Sequence, residues 1–532
     1  MPRKKLFIAG IFCVLLLCSC NKAYKNVVPA DAVVVGSVDM KALFLKADWE
    51  NQKKDVLDFL KDCGDDEILD LIEKMVAEDP LNSGFDLLNP AYAFVTLDSR
   101  EPDCFITLSV SDMEKVKKFL KKIENLELRD SDGMFFLQFD DFVLGVLTND
   151  ILLVGSADDR SAYRDMIKQD KGKSYFSTDA GKFFEKKSGD ITVQINAEAI
   201  PQRYIKELER DIERETQISS DYIDAYKPLL SSKVQLNLTF STGRISLNMY
   251  VDGMDDYAKS HMVAKKINKE VLDYLPTRDL IGFAAFGLDG KKYWDLSETM
   301  INRMLSEYRM DRSERKMINR CGEFLSQVDG TSLIAVNGKN FDDDIEVLGI
   351  VPVAKKEFSN LMSDIDQDLP QNIYLYGNAD YTALTTSSRY DLAKVPSPFD
   401  KPVKSNYLYA YFNPYSVIEN IYEETRYAER EERNMLNKIF DIFRLADYVE
   451  LKVPDTDEAS LEIVLNDNSK NALALIINKS VNCANAYLEY EKYRKEQWRK
   501  RQEDREQQYS GYYNYYDEPE EVVAVEDYDY EY

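Results

Sequence analysis

Apolar and polar positions alternate with period two over much of the chain. Gln235-Leu236-Asn237-Leu238-Thr239-Phe240 predicts a half-buried antiparallel strand. Ser241-Thr242-Gly243 supplies turn chemistry into a second strand, Ser246–Asp252. Asp130-Ser131-Asp132-Gly133 opens a meander of Met134–Phe139, Phe142–Leu147 and Ile151–Val154. Helical spacing appears between these runs, at Asp55–Lys61, Glu67–Val76, Asp112–Leu126 and Asp256–Asn268. In the first of these, Val56, Phe59 and Leu60 share one face. Strands interleaved with helix pairs predict an α+β fold, with helices covering mainly antiparallel sheets.

The pattern occurs twice. Val28-Pro29-Ala30-Asp31 and Leu275-Pro276-Thr277-Arg278 each lead into an apolar run of strand length. Trp49 and Trp294 follow at similar distances. Phe105–Ser109 then matches Val347–Val351, each before a helical stretch. Asp190–Asn196 matches Asn406–Asn413, with helices expected from about 198 and about 415. Ser246–Asp252 matches Ser460–Asn466, each preceded by a strand. Two tandem homologous repeats are therefore expected, residues 28–270 and 271–485.

After about residue 468 the chain turns helical and stays so, with the mostly apolar Ala472–Ile477 closing the second repeat. Residues 486–508 are mainly Glu, Lys, Arg and Gln with Tyr490, Tyr493 and Trp498, which predicts a charged helix. Residues 509–532 contain eight Tyr, eight Asp or Glu and no basic residue, a composition expected to be disordered. Val522-Val523-Ala524-Val525 within this segment suits strand addition to an envelope protein partner. A purely solubilising tail fits the same composition.

The N-terminus reads as an address. Pro2-Arg3-Lys4-Lys5 precedes the apolar run Leu6–Leu17, too short to span a bilayer comfortably. It ends in Leu17-Cys18-Ser19-Cys20, which resembles a bacterial lipobox. That resemblance implies removal of residues 1–19 and lipidation of Cys20, with residues 20–27 as a lipidated linker and a durable membrane anchor. Asn21–Asn26 carries no acidic run, unlike the acidic segment after the cysteine in surface-exported Bacteroidota lipoproteins, and that resemblance implies an outer-membrane lipoprotein facing the periplasm. Cys63, Cys104, Cys321 and Cys483 remain in the mature chain, where free thiols and disulfides are both open.

Composition narrows the chemistry. Over 532 residues, 68 Lys+Arg stand against 95 Asp+Glu, a formal charge of −27 that opposes nucleic-acid binding. A single histidine, His261, disfavours Ser-His-Asp and Cys-His nucleophilic sites and histidine-rich zinc sites. Asp342-Asp343-Asp344 with Glu346 is the densest acidic cluster, but it lacks calcium-loop spacing and suits a solvated turn. Asp130 and Asp132 before Gly133 fit a turn better still. No nucleophile elbow, phosphate loop or dinucleotide fingerprint occurs, so no catalytic residue, cofactor or metal is assigned. Tyr407, Tyr409 and Tyr411 share one strand face, suited either to a packed sheet or to stacking on a sugar or peptide.

The Val-Pro-x-Asp-Ala opening after a lipobox, with Ser83-Gly84-Phe85-Asp86 before Pro90-Ala91-Tyr92-Ala93-Phe94, resembles the uncharacterised Bacteroidota lipoproteins of domain-of-unknown-function family 4836. The resemblance spans roughly residues 20–485 and brings no activity or catalytic residue. The expected function is a non-enzymatic binding or scaffolding role in the cell envelope of a Gram-negative bacterium. An envelope-polymer hydrolase and a surface carbohydrate-handling lipoprotein are the rivals.

Overall fold

The computed structural model describes residues 23–62, 83–97, 102–123, 125–157, 159–216, 232–253, 263–307, 312–338, 345–364, 372–390 and 394–513. The fold is α+β. Its strands in the first half are β1 Val34–Val38, β2 Ala91–Thr96, β3 Asp103–Ser109, β4 Leu126–Ser131, β5 Met134–Phe139, β6 Phe142–Leu147, β7 Ile151–Gly155, β8 Ile191–Asn196, β9 Lys233–Ser241 and β10 Arg244–Asp252. The second half adds β11 Ala264–Lys265, β12 Leu280–Asp289, β13 Asp329–Asn337, β14 Glu346–Val351, β15 Tyr374–Gly377, β16 Thr382–Thr385, β17 Leu408–Phe412, β18 Ala446–Asp455 and β19 Glu458–Leu465. The helices of seven residues or more are α1 Met40–Lys46, α2 Trp49–Asp62, α3 Met113–Leu120, α4 Arg160–Lys168, α5 Asp179–Lys186, α6 Gln202–Thr216, α7 Gly290–Glu307, α8 Arg312–Leu325, α9 Lys355–Asp364, α10 Pro414–Glu424, α11 Arg430–Phe443 and α12 Ala472–Tyr513.

The described strands join one antiparallel sheet. From one edge the first half reads β4–β5–β6–β7–β3–β2–β1–β8–β9–β10. The second half continues from β10 as β19–β18–β17–β12–β13–β14–β16–β15. Thus β7–β3–β2–β1–β8–β9–β10 and β16–β14–β13–β12–β17–β18–β19 have the same chain-order pattern. The halves meet where β10 pairs with β19, with Leu247 opposite Leu461. Each of the two leucines follows a serine, Ser246 and Ser460.

Local sequence explains the joints. Asp39 accepts from Ala42 N at 2.9 Å and caps α1, and Asp112 does the same for α3 through Glu114 N and Lys115 N. Asp132 and Gly133, both at positive φ, close the two-residue β4–β5 hairpin. Asn471 accepts from Leu473 N at the start of α12 and donates to Phe240 O, pinning that helix to β9.

One face of the sheet carries the two main cores. Phe94, Phe105, Phe136, Leu153, Tyr163, Tyr175 and Phe184 pack in the first half. Phe283, Leu333, Ile350, Tyr381 and Tyr409 pack in the second. The segment before each opening strand seals its core: Tyr24–Val28 ahead of β1, and Val271–Leu275 ahead of β12. On the opposite face α3 covers Leu137, Leu147 and Leu152. There too the start of α12 joins Leu43 of α1 over Leu238, Phe240, Ile245 and Ile463 at the seam.

Several local expectations change. Residues 263–268 are not helical: Ala264 and Lys265 pair with Leu288 and Gly287. A β-carbon on Gly287 would lie 2.1 Å from Lys265 O, so glycine permits this close approach. Pro201 separates a short 3-10 turn at Ala197–Ala199 from α6. Trp294 lies in the first turns of α7, whereas Trp49 opens α2 after a break at Ala47–Asp48. Helix α12 runs unbroken across positions 486 and 508, so residues 509–513 are helical; 514–532 lie outside the described residues.

Candidate functional site

The alternation of β8 and β9 is present but turned inside out. Gln194 and Gln235 are 0% exposed, and Thr192 and Asn237 are buried with them. Their apolar neighbours Val193, Ile195 and Leu236 face outward, with Ile195 43% exposed. A hydrogen-bonded amide network allows this. Gln194 Nε2 donates to Gln235 Oε1 at 2.9 Å, and Gln235 Nε2 donates to Asn237 Oδ1 at 3.1 Å and Lys187 O at 3.0 Å. The Tyr175 hydroxyl donates to Gln194, and Asn237 donates to Lys187 O. Burial pushes the Tyr175 phenol well above its ordinary value, so it remains a donor. Buried amides carry little penalty when partnered, and here α5 supplies the carbonyls.

The outward apolar side chains form a field on the face opposite the main cores. The register places Ile106 on β3, Val193 and Ile195 on β8, Leu236 on β9, and Leu247 and Met249 on β10 on this side. All are exposed by more than a third. In the second half Ile334, Val347 and Phe412 hold the same side of β13, β14 and β17, with Ile334 52% exposed. Scattered exposed apolar residues are ordinary, whereas these share one sheet face, which makes that face the candidate site. Cys104, an exposed free thiol, lies two residues from Ile106 on that face.

Helix α12 crosses this side and makes a cleft with α2. The cleft, about 420 Å³, is lined by Gln52, Asp55, Asp58, Asn482, Asn485 and Glu489 among others. Gln52 Nε2 donates to Ala47 O and Ala474 O, while its buried Oε1 has no partner. A second cleft of about 670 Å³ lies between α11 and α12 and shares Glu489. Buried Oδ1 of Asn437, in its lining, also lacks a partner.

Among the described residues, those singled out from sequence lie on separate elements. Cys20, Cys63, His261 and Asp342-Asp343-Asp344 lie outside the described residues, and Glu346 opens β14. Asp130 and Asp132 belong to the β4–β5 hairpin. Cys104, Cys321 and Cys483 are free thiols, and burial raises the Cys483 thiol. The tyrosine ladder packs inward: Tyr409 is fully buried, and Tyr411 stacks with Phe283 and contacts Phe399 and Tyr448. The Tyr409 hydroxyl meets Glu450 at 3.0 Å, and burial raises its pKa strongly. Glu450 also pairs with Lys452, which reaches Glu462, which in turn holds Arg244 of β10. The ladder thus ends in a polar network across the seam.

Sequence reasoning missed the outward field because period two is the same whichever face is buried. The available signal was the pairing of amides on adjacent strands, Gln194 with Gln235. Among the described residues no group of three or more His, Cys, Asp or Glu could hold a metal, and no helix is long and apolar enough to cross a membrane.

No curated protein and no solved structure matches this chain. A family model described as "Domain of unknown function (DUF4836)" matches residues 24–348, more than half of the chain. The match begins where the described fold begins, spans the first half and enters β14. The chain therefore belongs to the DUF4836 family of domains of unknown function.

Proposed function

We propose that this protein is a non-enzymatic binding scaffold of the bacterial cell envelope, anchored to the outer membrane through lipidated Cys20 and facing the periplasm. Its docking surface is the outward apolar field, and its partner is an envelope protein with a complementary apolar surface. The inside-out alternation of β8 and β9 carries this reading: the fold buries Gln194 and Gln235 and leaves Val193, Ile195 and Leu236 outside. Apolar positions turned to solvent are costly to solubility, and burial against a partner offsets that cost. Two tandem homologous repeats would explain why the field recurs on β13, β14 and β17.

Crosslinking tests the surface. A photoreactive maleimide on Cys104, with Cys63, Cys321 and Cys483 replaced by Ser, should capture envelope protein in intact cells. Val193→Asp with Ile195→Lys should abolish capture while leaving the melting temperature within a few degrees, because both side chains are exposed. Unchanged capture would overturn the surface. Cys20→Ala should release the protein from membranes; retention there would overturn the anchor.

One observation favours a second reading, an envelope-polymer hydrolase: Asp55 and Asp58 of α2 line the same cleft as Glu489 of α12. Turnover of purified cell-wall polymer by the native chain, lost in Glu489→Gln, would select it.

A further inference from the structure

We infer that the outer part of α12 docks along an anionic lipid surface through a cationic stripe centred on Trp498. Tyr493 makes the last side-chain tether to another element among the described residues, its hydroxyl meeting Glu429 at 2.8 Å. Beyond it, residues 494–513 continue as helix, about 30 Å at 1.5 Å per residue. That length exceeds the screening distance of about 8 Å at physiological salt, so much of the segment is shielded from the field of the acidic body.

The charges on this segment are sorted. At 3.6 residues per turn, Arg494, Lys495, Trp498, Arg501 and Arg505 fall on one face. All five are exposed, Trp498 by 65%. One acid, Glu491, shares the arc, and Arg494 pairs with it at 2.9 Å. Lys495, Arg501 and Arg505 have no ion pair with a described residue. Glu496 and Glu503 fall on the other side, where Lys500 also lies and Arg499 is paired with Glu503, while Asp504 and Glu506 flank the stripe. In a chain of net charge −27, this stripe is a local exception.

Charge complementarity calls for an anionic partner, and the tryptophan selects among anions. An indole amid arginines suits the boundary between lipid headgroups and acyl chains, where an apolar ring and its N–H are both satisfied. A free acidic peptide or nucleic acid would use the cations without burying the ring in an apolar phase. Glu496 and Glu503 on the far side oppose rolling of the helix, so it lies with the Trp498 side down.

The test uses the full chain from residue 21, so no lipid anchor competes. It should co-sediment with phosphatidylcholine vesicles containing about 30 mol% phosphatidylglycerol, and not with phosphatidylcholine alone. Raising salt should weaken the contact. Arg494→Glu with Arg501→Glu should weaken partition at least about tenfold, with helix content kept by circular dichroism. Trp498→Ala should remove the blue shift of tryptophan emission on vesicle addition. Equal binding to both vesicles, binding to neither, or indifference to the double charge reversal would each overturn the inference. So would duplex DNA or an acidic peptide displacing the vesicles at equal phosphate or carboxylate concentration.

Discussion

Single residues in this protein show where tight packing and charge set the limits. A β-carbon on Gly322 of α8 would stand 2.1 Å from the Trp294 ring, whereas one on Gly172 would meet nothing within 4 Å. Gly322→Ala should therefore cost about 1–3 kcal/mol, and Gly172→Ala should be nearly neutral; denaturant midpoints compare them. Glu450 is a case of opposing effects. Its burial pushes the carboxyl up, but Lys452 beside it and the Tyr409 hydroxyl together outweigh burial and hold it below its ordinary value. A carboxylate depressed in the fold contributes stability above its unfolded pKa of about 4.3, and that contribution is lost as pH falls through the lower folded value. Glu450→Gln should thus be destabilised near neutral pH, with the gap to the native protein closing below about pH 4. Melting curves at neutral and acid pH measure this; a gap independent of pH would remove the charge from the account.

At the scale of elements, periodicity and punctuation were legible and orientation was not. The β5, β6 and β7 meander, the β9–β10 hairpin and the Asp132-Gly133 turn follow from alternation and turn residues that act locally. The continuous helix after about residue 468 was legible, but its end was set at 508 by the change of composition, whereas the backbone stays helical to Tyr513. The buried amides of β9 depend on the carbonyl of Lys187, the C-cap of α5 some fifty residues earlier, so no local pattern reveals the inversion. The same fact hid the candidate site, since Val193 and Ile195 read as core residues until their partners are known. Gln235→Leu tests this logic. By hydropathy alone it should stabilise a buried position. Here it leaves Gln194 Nε2 and Asn237 Oδ1 without the partners that Gln235 supplies, so a loss of about 1–3 kcal/mol is expected by chemical denaturation. A gain would show that the amide network is dispensable.

The whole molecule is held together at its middle by three different means. The β10–β19 ladder runs from Arg244 opposite Val464 to Tyr250 opposite Glu458. Beneath one face Arg244 of the first half reaches Glu462 of the second. Over the other face the start of α12 lies on Phe240 and beside Leu43, and Gln52 of α2 bonds Ala474 O at 2.9 Å. A chain with matching strand order in its halves could separate into two domains on a linker, as the sequence alone allows. The shared ladder opposes that, because opening it would expose two strand edges and the apolar floor under α12. If this account is right, the link at residues 254–262 is dispensable for association. Two co-expressed pieces, 21–253 and 263–532, should purify as a one-to-one complex with the native circular dichroism. Leu247→Pro in the first piece removes a ladder donor and should prevent the complex, whereas Val193→Asp, on the same face but away from the seam, should not. Pieces that fold but fail to associate would mean that continuity of the chain, rather than the seam, keeps the halves together.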